Sequence, residues 1–457
     1  MPDCAVLRQL AYREPLRYPV LFDSASTAAG DRRRLGRYSI LAAFPHGAIW
    51  LDAARQLHGS GTLTAGAGFL NTLERCWRAE AQVEQDSNGM GLPFRGGWVV
   101  FLGYELALEI EPRLQLPPSR EPIGAFALRV PAALIYDHAE ACGYAVAEDG
   151  FEALLDELAT DVAAAAAAPA AVSSPDARLA APRAVHEEEP RHFRARVQRT
   201  LDYIRAGDIY QANLSRPWQI ELAADVTPQA VYERLRSANP APFAAWARFR
   251  ELTVLSSSPE RLVRTRGARI ETRPIAGTHS RSRSPGHDDR EAEQLLANPK
   301  ERAEHVMLID LERNDLGRVC RAGSVRADEF MVLESYEHVH HIVSNVSGTL
   351  RTDVTPIDVL RAVFPGGTIT GCPKFRCMQI IAELEGEGRN AYTGSLGYLN
   401  RDGSMDFNIL IRTLSMRGST LHFRAGAGIV ADSNWERELQ ETRAKAQGLL
   451  EAVAATG

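Results

Sequence analysis

Between Asp161 and Pro190 the chain reads DVAAAAAAPAAVSSPDARLAAPRAVHEEEP, with too few large apolar side chains to pack, and this limits the folds open to the rest of the chain. It predicts a linker or surface excursion over 161–190, with the poly-alanine part able to prolong the preceding helix. Before it, the N-terminal region 1–160 carries short runs such as VLFD, YSIL, GAIWL and GGWVVFLGYE that alternate with turn signals and read mainly as strands. After it, region 191–457 mixes long helical patterns with LTVLSS, ARIETR, GSLGYL and TLHFRAGAGIVAD. No regular strand–helix repeat connects these pieces. The expected class is therefore α+β rather than a doubly wound parallel sheet.

Charge narrows the partners. The chain has 457 residues, 24% of them charged, and a net charge of -6 without a Lys/Arg block, which excludes a nucleic-acid footprint. No run reaches the roughly eighteen apolar residues of a membrane span, and the N-terminus lacks an apolar leader core, so the chain reads as cytoplasmic. Six scattered cysteines fit reduced thiols, and Cys372 and Cys377 have no second pair that would complete a zinc site.

Two Glu-x-x-Glu pairs carry the strongest chemical signal: Glu301/Glu304 in KERAEH and Glu438/Glu441 in ERELQE. Asn298 and Pro299 read as N-cap and first helical residue, so Glu301 could simply close a capping box. Glu304 is harder to dismiss, because it shares one helical face with Glu301, Leu308 and Leu311. Carboxylates on an apolar face call for a cation. For the second pair, Ser433 and Glu436 read as the cap, Leu439, Ala446, Leu450 and Val453 form the stripe, and Glu441 with Lys445 reads as a solvated i,i+4 pair. Folding that unites the four carboxylates would make a magnesium site.

Two nucleotide-loop lookalikes fail on context. PGGTITGCPK has glycines at P-loop spacing, but Cys372 and Pro373 displace Lys374. Gly426, Gly428 and Ala431 match a dinucleotide fingerprint, yet the run continues as IVADS instead of opening a helix. His338, His340 and His341 read as an ordinary strand rather than a metal site.

The motifs GDIYQANLS, SSSPERL, RPIAGT, KERAEHVMLIDLERNDLGRV, HHIVSNVSGTL, FPGGTITGCPK, IRTL, GAGIVADS and ELQETRAK occur in the order seen in chorismate-utilising enzymes. The resemblance is dense from about residue 190 to 455 and looser before it, through LFDSAS, GRYSIL and GGWVVFLGYE. It implies two large antiparallel sheets packed as a sandwich, surrounded by helices, with the active site between them. YQANLS, SPERL, NPAPFAAW and PGGTITG resemble the aminodeoxychorismate synthase component I branch more than anthranilate synthase.

The resemblance also implies roles. Glu304 and Glu441 would ligate Mg2+, with Glu301 and Glu438 beside them directly or through water. Arg412 and Tyr392 would hold a chorismate carboxylate, and the backbone of Gly277, Thr278, Gly426, Ala427 and Gly428 would approach the substrate, with Lys374 and Lys445 adding positive charge. Glu260 would protonate the departing C4 hydroxyl. Gln211 stands where water-using relatives carry a lysine base, so the implied nucleophile is ammonia, and His341 would sit near the ring. Ser24, Pro242 and Phe243 mark a possible tryptophan-type effector pocket.

Ala276 departs from the branch pattern, since many aminodeoxychorismate synthases have a nucleophilic lysine there. Alanine at this position is shared with anthranilate synthases, which keeps that product open. No amidotransferase nucleophile segment is present, so ammonia is expected from a separate glutamine amidotransferase subunit. A different class, a non-catalytic subunit that binds chorismate or tryptophan, is disfavoured by an acid and a carboxylate cage occurring together.

Overall fold

The computed structural model describes residues 2–25, 35–61, 63–64, 66–82, 91–168, 179–280, 293, 296–335 and 339–454, apart from the side chains of 276, 278–280, 299–300, 335 and 339. Within them the fold is the expected α+β sandwich of two antiparallel sheets, each of 11 strands. The first sheet runs, in spatial order, Gly371–Cys372, Gln211–Glu221, Thr420–Ile429, Thr413–Arg417, Leu252–Ser258, Phe243–Phe249, Val20–Asp23, Tyr38–Ala43, Ala132–Asp137 and Cys142–Ala147. Ala184–Glu187 adds to the outside of Gln211–Glu221. The second runs Ile275–Ser280, Val339–Thr349, Arg269–Arg273, Arg261–Arg266, Met405–Asn408, Ser395–Asn400, Gly97–Leu102, Ile123–Val130, Gly47–Asp52 and Leu57–Gly61, with Arg326–Ser335 paired to Val339–Thr349.

Each sheet is covered on both faces, which explains strand sequences that do not alternate. GWVVFL and LTVLSSS are buried at every position, because one face meets the other sheet and the opposite face meets helices. Val20, Ile40, Ala245 and Val254 of the first sheet pack with Val99, Phe101, Phe126 and Leu128 of the second in the layer between them. Outside the first sheet, Leu7, Leu10, Leu158, Val231, Leu235 and Leu449 bring in helices Cys4–Arg13, Ala153–Ala167, Pro228–Ala238 and Trp435–Glu451. Outside the second, Leu70, Leu73, Ile309, Leu316, Leu360 and Val363 bring in Phe69–Glu80, Pro299–Gly317 and Pro356–Val363.

The helices start where local chemistry says they should. Thr355 caps Pro356–Val363 in a full capping box with Asp358, and Thr227 caps Pro228–Ala238, each with proline in the first turn. Helix Pro299–Gly317 likewise opens at Pro299. One expected cap is corrected: Asn434, not Ser433, caps Trp435–Glu451, accepting from the Glu436 and Arg437 amides. Ser433 instead accepts from the Val430 amide in the preceding turn.

The Ala/Pro-rich segment does prolong a helix, since Ala153–Ala167 absorbs the alanines. Residues 169–178 lie outside the described residues. Strands from before this segment form one end of each sheet and strands from after it form the other, and Ala184–Glu187, within the expected linker, is itself a sheet strand.

Candidate active site

Strands Gln211–Glu221 and Thr420–Ile429 pair antiparallel, with Asn213 opposite Gly428, Leu214 opposite Ala427 and Ser215 opposite Gly426. The glycines leave room for the side chains that lie across them. A Cβ on Gly426 would stand 2.5 Å from the Tyr392 hydroxyl, and one on Gly428 would stand 2.4 Å from Gln211 Nε2. Tyr392 and Gln211 therefore lie over bare backbone. Ala427 points into the opposite core. Gln211 is buried, and its Oε1 has no hydrogen-bond donor among the described residues.

Glu260 follows the fully buried strand Leu252–Ser258 and is itself only 4% exposed. The Thr368 hydroxyl donates to its Oε1 at 2.8 Å. Burial pushes its carboxyl up to about 7, against the opposing pull of Thr368, the Ile275 backbone, Lys445 and Arg412. A substantial fraction of this carboxyl therefore keeps its proton at neutral pH, where an ordinary glutamate has lost it.

The cations that act on Glu260 also act on one another. Burial pushes His341 down to about 3, and Arg412 and Lys445 push the same way, so this imidazole is neutral. His341 bonds to the Gly277 backbone, where the strand register shifts between Ala276 and Thr278 and Gly277 adopts φ +79°. The side chains of Ala276 and Thr278 lie outside the described residues, as does His338. Desolvation opposes charge on Lys445, but Glu441 outweighs it and the ammonium is held above its ordinary range. Lys445 Nζ donates to Glu441 Oε1 at 2.7 Å and to the Gly426 carbonyl at 3.0 Å. Arg412, at φ +50°, Thr393, at φ +64°, and Asn390, at φ +59°, take up left-handed backbone around Tyr392. Glu260, His341, Tyr392, Arg412, Lys445 and Glu441 thus form one electrostatic neighbourhood.

The four carboxylates of the Glu-x-x-Glu pairs are less tightly gathered. Glu438 is buried, Glu301 and Glu304 are half-buried, and Glu441 is exposed while paired to Lys445. Among the described residues no three acidic, histidine or cysteine side chains are close enough to share an ion. A hard cation here would take one or two carboxylates and complete its shell with water and substrate oxygens, the usual habit of magnesium.

Lys374 and Glu260 both act on buried Glu312, in helix Pro299–Gly317. The Lys374 ammonium is ion-paired with buried Asp315 and also donates to the Val363 carbonyl. Glu312, one turn before Asp315, is equally buried, and burial together with Asp315 pushes its carboxyl up to about 8. Sequence reading passed over Glu312 and Asp315, although they continue the helical face of Glu304, Leu308 and Leu311. It also left Thr368 and Asn213 without roles, although both stand inside the recognised motifs.

A separate cavity of about 870 Å3 opens between the sheets, and Ser24, Pro242 and Phe243 line it together with Phe22, Tyr38 and Tyr398. The Ser24 hydroxyl donates to the Tyr38 carbonyl at 2.7 Å, with the Pro242 carbonyl 3.3 Å away.

A family profile described as chorismate binding enzyme matches residues 37–451. The chain is 39% identical over 445 residues to an anthranilate synthase component I-like protein of Synechocystis, covering 95% of this chain and 86% of the relative. It is 47% identical over 261 residues to aminodeoxychorismate synthase component 1 of Bacillus subtilis, a match spanning 57% of this chain and 55% of the relative. Among solved structures, anthranilate synthase component I of Streptococcus pneumoniae superposes with a TM-score of 0.80 at 32% identity, over 90% of this chain and 92% of that one. The menaquinone-specific isochorismate synthase of Escherichia coli shares the fold, with a TM-score of 0.71 at 18% identity over 99% of this chain and 91% of that one. With a family match over residues 37–451 and a relative 39% identical over 95% of its length, the chain belongs to the chorismate binding enzymes.

Proposed function

We propose that the chain aminates chorismate in a magnesium-dependent reaction, with ammonia supplied by a glutamine amidotransferase partner, to give 4-amino-4-deoxychorismate for p-aminobenzoate and folate synthesis. The observation that carries the amination reading is a pairing: a buried Glu260 that is substantially protonated near neutral pH, and a buried Gln211 whose Oε1 awaits a donor. Glu260 gives its proton to the C4 hydroxyl, which leaves as water. Gln211 cannot take a proton from water, but its Oε1 can accept an N–H of ammonia, a nucleophile that needs no base to attack.

Arg412 and Tyr392 hold a substrate carboxylate over the bare backbone of Gly426 to Gly428, and Lys445 adds charge beside it. Neutral His341 and Gly277 close the opposite wall. Magnesium, held by Glu304 and Glu441 with Glu301 and Glu438 beside them, would supply positive charge against the substrate's carboxylate. Two relatives named component I, in anthranilate and aminodeoxychorismate synthases, support a separate ammonia-supplying subunit. The cavity at Ser24, Pro242 and Phe243 is proposed as an effector pocket for an aromatic amino acid.

Ala276 favours a second reading, anthranilate as the product, as do the anthranilate synthase names among the relatives. One assay separates the two. Purified protein is incubated with chorismate, Mg2+ and ammonium at alkaline pH, and the products are resolved. p-Aminobenzoate that appears only after an aminodeoxychorismate lyase is added supports the proposal, fluorescent anthranilate replaces it with the second reading, and unconsumed chorismate rejects both.

A further inference from the structure

Arg389 is 2% exposed and stands beneath the candidate site. Three segments converge on its guanidinium. One Nη2 bond reaches the Asn213 carbonyl at 2.6 Å, in the strand that carries Gln211, and an Nη1 bond reaches the Ile369 carbonyl at 3.0 Å, next to Thr368. Nε and Nη2 also grip Glu385 at 3.0 and 2.7 Å. The Arg389 carbonyl accepts from the Tyr392 amide at 3.1 Å, and its own amide donates to buried Glu105.

The surrounding bonds repeat the same junction from the other side. Asn213 Nδ2 donates to the Ile369 carbonyl at 3.1 Å and lies 3.4 Å from the Tyr392 hydroxyl. The Asn213 amide donates to the Thr370 carbonyl at 2.9 Å. Glu385 is locked in turn by the Ser215 amide and hydroxyl and by Arg424. A planar guanidinium can serve two carbonyls and a carboxylate at once, whereas an ammonium of similar reach is a single point charge with no fixed fork.

We infer that Arg389 is a positioning residue that sets the Thr368 hydroxyl on Glu260 and the Tyr392 hydroxyl over Gly426 by joining strand 211–215, segment 366–371 and segment 389–393 in one register. The inference rests on the proposed roles of Glu260 and Tyr392. Its distinctive consequence follows from the Thr368 bond, which favours the charged form of Glu260. Lys445 and Arg412 also hold the Glu260 pKa down and Glu312 repels its charge, and the variants leave these three in place. Loosening the Thr368 bond therefore raises the carboxyl's pKa, so Glu260 stays protonated to higher pH and the alkaline limb of kcat/KM moves upward.

The test compares Arg389→Lys, Thr368→Val and their double variant for kcat, chorismate KM, the pH profile of kcat/KM and circular dichroism. Expected are native dichroism, a kcat loss of about tenfold or more in Arg389→Lys, an upward alkaline limb shared with Thr368→Val, and a double variant no worse than the poorer single. Asn213→Ala keeps the Arg389 bonds but loosens the same junction by removing the side-chain bonds to the Ile369 carbonyl and the Tyr392 hydroxyl, and it carries the test if Arg389→Lys does not fold. Glu260→Gln is run alongside. An inactive Glu260→Gln together with an unmoved limb or additive losses overturns the inference alone, whereas an active Glu260→Gln overturns the acid assignment as well.

Discussion

Replacing Lys374 by methionine removes a cation bonded to buried Asp315 and leaves only the more distant pull of Arg318 among the described residues, and the structure sets both the size and the pH dependence of the penalty. Asp315 and Glu312 lie one turn apart in helix Pro299–Gly317, both almost wholly buried. Burial holds Asp315 above its ordinary 3.8 even with Lys374 bonded to it. Without the lysine, an ionised Asp315 would be stranded, a loss of about 3–5 kcal/mol for a broken buried pair. Protonation offers an escape with a calculable ceiling. Holding a proton on a group of intrinsic pKa 3.8 costs at most about 1.4 kcal/mol per pH unit above it, hence about 4 kcal/mol at pH 7 and under about 2 at pH 5.

The sign follows from the direction of the shift. An acid whose folded pKa is raised stabilises the fold at low pH and loses that contribution as pH climbs from the unfolded to the folded value. Lys374→Met raises Asp315 further, so its deficit grows with pH and shrinks on acidification. Urea unfolding of both proteins at pH 5, 6, 7 and 8 measures this directly. A deficit independent of pH, or under about 1 kcal/mol at pH 7, refutes the reasoning. Chorismate KM in the folded variant should stay near wild type, because the ammonium is committed to Asp315; a large rise in KM would return Lys374 to the substrate.

Glu260→Gln should abolish turnover yet stabilise the fold above pH 7 by up to about 3 kcal/mol, the linkage value of a carboxyl moved from 4.5 to about 7; denaturation and rate assays on one preparation check both halves. Gly428→Ala places a methyl 2.4 Å from Gln211 Nε2 and should lower ammonia-dependent kcat at least tenfold, with about 1–3 kcal/mol of overpacking at most in unfolding assays; wild-type kcat would show that Gln211 is not needed where it stands. Glu304→Gln and Glu441→Gln should leave circular dichroism unchanged and raise the Mg2+ concentration needed for half-maximal rate; an unchanged Mg2+ titration removes that residue from the metal site.

The fold class was legible because strand runs such as LTVLSSS and GWVVFL were bounded by turn residues and no strand–helix repeat joined them. Their order in the sheets was not, since Val20–Asp23 pairs with Phe243–Phe249 across more than two hundred residues that no local pattern connects. The helix face of Glu304 was readable from its period, and the same period continues to Glu312 and Asp315. Nothing local distinguished the Glu304 end of that face from the end buried against Lys374. The Ser433 cap failed for a local reason: two adjacent side chains can both cap, and Ser433 is used by the Val430 amide. The glycines of GAGIVADS read as a close approach to substrate, and in the structure they make room for the Tyr392 and Gln211 side chains.

The two sheets explain why chemistry of this kind needs so large a frame. Glu260 follows a strand of the first sheet and extends into a strand of the second, beginning at Arg261. Strand Ser395–Asn400 of the second sheet follows Tyr392 and Thr393, and strand Thr413–Arg417 of the first follows Arg412. Glu260 and Arg412 therefore sit where the chain crosses between the layers, Arg412 in a left-handed conformation that an isolated loop would not hold. Both layers restrain each crossing, so an acid can be kept dry and neutral within reach of Arg412 and Lys445 without collapsing into an ion pair with either. A smaller sheet, open to water on one face, would let Glu260 ionise near its ordinary range, and the acid needed to expel a hydroxyl at neutral pH would be lost.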